Sequence, residues 1–183
     1  INRLNVFPVP DSDTGTNLRM TLEAVAQAVN DGDLSASAYE IAERAARAAL
    51  MAARGNSGVM LAQLFRSISR TLRGREMFSG EEFSIALQQA SDMLYRAVGD
   101  PVEGTILTVL RRAAEAAAAG PTEDLGEVLD RAAAAASAAV QESTALLPVL
   151  QEAGVVDAGG YGLYVIFRGM RDYLNDEPGL AAD

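Results

Sequence analysis

The chain has 183 residues with a net charge of −10, 49% hydrophobic and 22% charged, the balance of a folded soluble domain and one that repels a phosphate backbone. It contains no cysteine, no histidine and no lysine, and all fifteen basic residues are arginine. That excludes a disulfide framework, thiolate or imidazole metal sites, a histidine general base, a Schiff base and a P-loop lysine, and leaves oxygen ligands and hard cations such as Mg²⁺.

Helical spacing runs from end to end. Leu18, Leu22, Val25 and Val29 open the first stripe, directly after "FPVPDSDTGTN". Ile41, Ala45, Ala48 and Ala52 follow the candidate caps Ser35 and Ser37. A third helix is expected over Val59–Leu72, and a fourth over Phe83–Val98 with Ser79 as its cap. Ile106, Val109, Leu110, Ala113 and Ala117 mark a fifth. The sixth runs from Leu125 through an alanine run to Ser143, a short seventh covers Pro148–Ala153, and the last spans Gly162–Leu174 before a stop at Asn175. No segment alternates with period two, so the expected fold is all-α, an antiparallel barrel or bundle of about eight helices in one domain over 1–183. No apolar run reaches the roughly 20 residues of a membrane span, and no signal-peptide pattern opens the chain, which makes the cytoplasm the expected location. The chain starts without methionine and is expected to be a fragment of a longer protein.

Polar and glycine-bearing segments stand at four helix mouths: Asp11–Asn17, Ala53–Gly58, Asp100–Thr105 and Val155–Gly162. A helix N-terminus offers unpaired N–H groups and a positive dipole end, and glycine lets a phosphate approach closely. Each segment also reads as an ordinary cap or stop. The pair Asp11 and Asp13 is more specific, because converging carboxylates repel unless a cation lies between them. An EF-hand is excluded by register: counted from Asp11, position 5 is Gly15 and position 6 is Thr16. Paired carboxylates for Mg²⁺ and several helix mouths for phosphates form the toolkit of phosphoryl transfer, with an arginine such as Arg54 available to the transition state.

The blocks "INRLNVFPVPDSDTGTN", "ARGNSGVMLAQLFR", "PVEGTILTVLRRAAEAA" and "LPVLQEAGVVDAGGYGLYVIFRGM" together resemble the N-terminal kinase domain of bacterial fatty acid kinase, within the family of the ATP-binding (L) domain of dihydroxyacetone kinases. The resemblance implies ATP and Mg²⁺ as cofactors at one end of a helical barrel, and phosphorylation of a fatty acid carboxylate presented by a fatty-acid-binding partner protein. It allows a homodimer through the full-length protein. It implies Asp11 and Asp13 as the catalytic metal-binding pair, with Asn5 where dihydroxyacetone kinases carry a third aspartate. It implies nucleotide contacts at Thr14, Gly15, Thr16 and Asn17, at Gly55, Asn56, Ser57 and Gly58, at Thr105, and at Asp157, Gly159 and Gly160. The family usually has glycine where this chain has Ser12. A dihydroxyacetone kinase subunit and a regulatory nucleotide-binding module without transfer activity are the rival readings; "NVFPVP" and Asn5 argue against the first, and Ser12 keeps the second open.

Overall fold

The computed structural model describes residues 1–32 and 35–175. Among these it is entirely helical: a 3-10 turn at Asn2–Leu4, then α1 (Thr14–Asn30), α2 (Ala38–Ala52), α3 (Gly55–Thr71), α4 (Gly80–Ala97), α5 (Ile106–Ala118), α6 (Leu125–Leu146), α7 (Pro148–Ala153) and α8 (Ala158–Leu174). Local chemistry explains most of the starts. Ser37 and Glu40 close a capping box on α2, and Ser79 and Glu82 close one on α4, each satisfying two backbone donors reciprocally. Asp124 accepts from the Glu127 N–H to cap α6, and Pro148 enters α7 at its first turn, where no N–H is needed. Of the two serines expected before α2, Ser37 is the cap.

Two helices start earlier than their apolar stripes. α3 begins at Gly55 and α8 at Ala158, so "GNSG" and "AGGYG" form first turns rather than breaks between helices. The break before α3 is made by Ala53 and Arg54, both with extended ψ. Asn175 ends α8 as expected; the rest of the predicted stop lies outside the described residues.

Successive long helices pack on each other, and α8 returns to contact α6, α5 and α1, giving the expected antiparallel bundle. Its centre is aromatic and small. Phe83 and Phe167 are fully buried and meet edge to face with centroids 6.3 Å apart. Burying each contributes about 2–3 kcal/mol. The alanine run of α6 lies against α5: Ala132, Ala133 and Ala136 are buried along with Ala113, Ala114 and Ala117, because methyl side chains let two helix backbones approach closely. In an up-and-down bundle alternate helices start at the same end. α1, α3 and α5 therefore share one end, and the short α7 turns the chain so that α8 starts there too.

Candidate functional site

The first turns of α1, α3, α5 and α8 surround one cleft of about 300 Å³. Thr14, Asn56, Ser57, Thr105, Asp157 and Gly159 line its polar side, with Asp100 at the edge. Phe7, Pro8, Met60, Val98, Val102, Ile106 and Leu107 form an apolar side.

Helix α1 is entered through a clamped loop. Buried Asn5 accepts at Oδ1 from the Thr14 N–H (3.0 Å) and, over a short contact, from the Thr14 hydroxyl; its Nδ2 donates to the Val9 carbonyl (2.8 Å). Both lone pairs of the amide oxygen are thus engaged within the protein. Asn2 holds the next turn, donating to the Thr16 hydroxyl (2.9 Å) and accepting from the Thr16 N–H (3.1 Å). Asp11 and Asp13 precede Thr14 on this loop, the first exposed and the second half-buried; Asp13 precedes α1 without a capping bond from its side chain. Between them Ser12 has φ +57°, left-handed, which breaks the extended alternation that would send the two carboxylates to opposite sides. The position is therefore one that favours glycine. Ser12→Gly is expected to stabilise the fold by about 0.5–1 kcal/mol, the relief of left-handed strain less the added freedom of the unfolded chain. Urea unfolding measures it, and a stability loss would show that the serine hydroxyl holds the turn.

At the mouth of α3, Gly55 has φ +58°, and a Cβ there would lie 2.5 Å from Asn17 Nδ2, so only glycine allows α1 and α3 to meet at this point. Ser57 Oγ reaches the Thr14 carbonyl at 3.5 Å. Thr105 caps α5, accepting from the Leu107 N–H at 3.4 Å. Asp157 caps α8: its Oδ2 accepts from the Gly160 N–H at 2.6 Å, while its own N–H donates to Ser143 Oγ at 3.0 Å. Burial pushes the Asp157 carboxyl up to about 6, against the pull of the Gly160 and Ile106 backbone. At neutral pH it is a desolvated anion. A Cβ on Gly160 would meet Val109 Cγ2 at 2.6 Å, so this glycine sets how closely α8 seats on α5.

The expected site residues thus divide. Those on the polar wall face the cleft directly. Asn5, Asp11, Asp13, Gly15, Thr16, Asn17, Gly55, Gly58 and Gly160 do not line it; Asp11 and Asp13 lie on the loop just before Thr14, and Asn5 and Gly160 act one layer behind, on Thr14 and Asp157. Arg54 does not line it either, and its Nη1 donates to the neighbouring Ala53 carbonyl at 2.9 Å. Sequence reasoning missed the apolar wall and a network behind Thr105. Glu103 accepts from Thr108 (2.7 Å), Arg111 (3.0 Å) and Tyr95 (3.0 Å), and Thr108 Oγ1 accepts from the Gly104 N–H at 2.8 Å. Burial raises the Glu103 carboxyl, but these three hydrogen bonds outweigh it and hold its pKa below the ordinary value. Only "VEGT" hinted at this: Thr108 and Arg111 share a face of α5, but Tyr95 is brought in from α4 by the fold.

Among the described residues no three acidic side chains gather as a ready metal cage. The donors are oxygen throughout. Mg²⁺ is ordinarily held by one or two carboxylates together with water and substrate phosphates, so the Asp11–Asp13 pair fits such an ion.

The profile of the DAK2 domain matches residues 8–172. The chain belongs to the DAK2 domain family. This family is of kinase type, related to dihydroxyacetone kinase and associated with nucleotide binding. Over 179 residues this DAK2 domain is 42% identical to an uncharacterized protein of Staphylococcus saprophyticus and 41% identical to protein YloV of Bacillus subtilis, covering 97% of this chain and 32% of each relative. An uncharacterized protein of Staphylococcus haemolyticus is 42% identical over 171 residues, 92% of this chain and 31% of that one. The chain spans about a third of the length of these curated relatives. Among its described residues no helix is long and apolar enough to cross a membrane.

Proposed function

We propose that this DAK2 domain binds Mg·ATP in the four-helix cleft and transfers the γ-phosphoryl group to a fatty acid carboxylate, giving an acyl phosphate, with the acid presented by a fatty-acid-binding partner protein in the cytoplasm. The observation that carries this is the convergence of four helix first turns on one cleft, with Asp11 and Asp13 on the loop that leads from its Phe7–Pro8 wall to Thr14. The N–H groups at the start of α3, which no side chain caps, supply donors for phosphate oxygens, and the apolar wall of Phe7, Met60, Val98 and Val102 suits an adenine ring. No arginine lines the cleft among the described residues, whereas Asp100 and Asp157 do. A polyphosphate therefore needs a cation to enter, which Asp11 and Asp13 would hold. Bound there, Mg²⁺ would neutralise charge on the phosphates. Asn5 then serves as the clamp on the loop, and Asp157 as the cap that fixes the far wall. A carboxylate acceptor is already ionised at neutral pH, so attack on the γ-phosphorus, with release of ADP, requires no base; a chain without histidine is suited to that reaction.

Incubating the full-length protein with Mg·ATP and a palmitate-loaded fatty-acid-binding protein, then trapping with hydroxylamine, should yield the acyl hydroxamate. A parallel incubation with dihydroxyacetone on its own carrier should yield nothing. Transfer only to dihydroxyacetone would move the acceptor to the rival class, and tight ATP binding with no transfer to either would make the domain regulatory.

A further inference from the structure

A second groove, of about 450 Å³, runs between α3 and α4 and opens into the cleft, sharing Asn56, Met60 and Val98 with it. Its remaining walls are Val59, Gln63 and Arg66 on α3 and Met93, Leu94 and Ala97 on α4. Val59 is 49% exposed, large for an aliphatic side chain, and Leu50 and Met51 at the end of the adjoining α2 are 60% and 75% exposed. Val59, Gln63, Arg66 and Arg70 follow one another at spacings of four, three and four, so they share one face of α3.

Three features of this face point outward to a ligand. First, the arginines of α3, of its N-cap and of the last turn of α4 are unneutralised. Arg54, Arg66, Arg70 and Arg96 are exposed, and none forms an ion pair among the described residues. On a chain of net charge −10, most other arginines do pair: Arg19, Arg47, Arg75, Arg111, Arg112, Arg131, Arg168 and Arg171 each reach a carboxylate. Second, Gln63 lines the groove, and its buried Oε1 accepts no hydrogen bond. Third, the floor and sides are apolar and lead to the place where a phosphoryl acceptor must arrive.

We propose that the α3–α4 groove, with Arg66 in its wall and the exposed Arg70 one turn on along the same face of α3, is the docking surface for an acidic segment of the protein that presents the phosphoryl acceptor. This rests on the reading of the domain as a kinase whose acceptor arrives on a partner. A polypeptide supplies all three missing complements at once: a backbone N–H for Gln63, an apolar anchor for the Met60–Met93 floor, and carboxylates for the Arg66 and Arg70 guanidinium groups. A bare acyl chain offers no donor to Gln63. A lipid surface is convex to this concave groove and anionic toward an acidic body.

The test uses the full-length protein and the palmitate-loaded fatty-acid-binding protein, with calorimetry for binding and hydroxamate formation for transfer. Arg66→Glu/Arg70→Glu should weaken carrier affinity by about tenfold or more and flatten its salt dependence, with ATP affinity unchanged. In turnover it should raise KM for the carrier and leave kcat at saturation intact. Gln63→Leu should weaken the carrier severalfold by removing the orphaned acceptor. Unchanged carrier affinity in the double variant overturns the proposal, as does a wild-type protein that binds no carrier. Loss of binding to phosphatidylglycerol vesicles with carrier affinity intact also overturns it, in favour of a membrane surface. If the carrier binds through these arginines but receives no phosphate, docking stands and the proposed acceptor falls; if wild type and variant phosphorylate it with the same KM, docking falls and the acceptor stands.

Discussion

Asp11→Asn/Asp13→Asn is expected to abolish Mg²⁺-dependent ATP binding while leaving the fold intact. In the proposed function the nucleotide would bring its negative charge into a cleft lined by Asp100 and Asp157 and by no arginine among the described residues. The Asp157 anion is already desolvated, with its pKa pushed to about 6 by burial, and would repel a bare polyphosphate further. A cation held by Asp11 and Asp13, as proposed, would offset that repulsion, and removing both carboxylate charges should lower affinity by at least about 100-fold, beyond the range seen for outer-shell partners of a metal. Stability should change by less than about 0.5 kcal/mol, because Asp11 is exposed and Asp13 caps α1 with no side-chain bond. Calorimetric titration with ATP, with and without Mg²⁺, reads both parts. Wild-type affinity in the variant would remove the metal from this corner.

Asn5→Ala should affect both stability and nucleotide affinity. It strips the acceptor from the buried Thr14 N–H and hydroxyl and the donor from the Val9 carbonyl. Leaving such groups unsatisfied costs about 1–3 kcal/mol, and the released loop carries Asp11 and Asp13 with it. ATP affinity should therefore fall at least about tenfold, in parallel with a lower urea midpoint. Asn5→Asp keeps an acceptor for Thr14 but sets a carboxylate against the Val9 carbonyl, so it should recover part of the loss. A variant that loses ATP affinity at full stability would make Asn5 a ligand of the ion instead of a clamp on the loop.

These two residues show where reading the chain succeeds and where it stops. Asp11 and Asp13 stand out by type and spacing alone, since paired carboxylates before a helix have few uses. Asn5 stands out only by family resemblance, and its partners Thr14 and Val9 become visible only when the loop is folded. Ser12 is a middle case. The departure from glycine is plain in the chain, and the structure supplies the reason it matters, a left-handed φ of +57°.

The helices were legible because their causes are local. Apolar spacing of three and four, the Ser37–Glu40 and Ser79–Glu82 boxes and Pro148 act within one or two turns, so the all-α class and the order of eight helices follow from the residues themselves. The starts of α3 and α8 differ for the same reason: glycine lowers helix propensity locally, and the close approach of these first turns to Asn17 and Val109, which calls for glycine, involves residues far away in the chain. Composition likewise determined that any metal would be held by oxygen and that no histidine or lysine could act. Tertiary structure alone decided that four helix mouths meet at one cleft. It also decided that Asp157 is desolvated and that Glu103 is bound by three partners. The same holds for the arginines: their spacing on α3 is written in the chain, but whether a charge is neutralised depends on which carboxylates the fold brings near it.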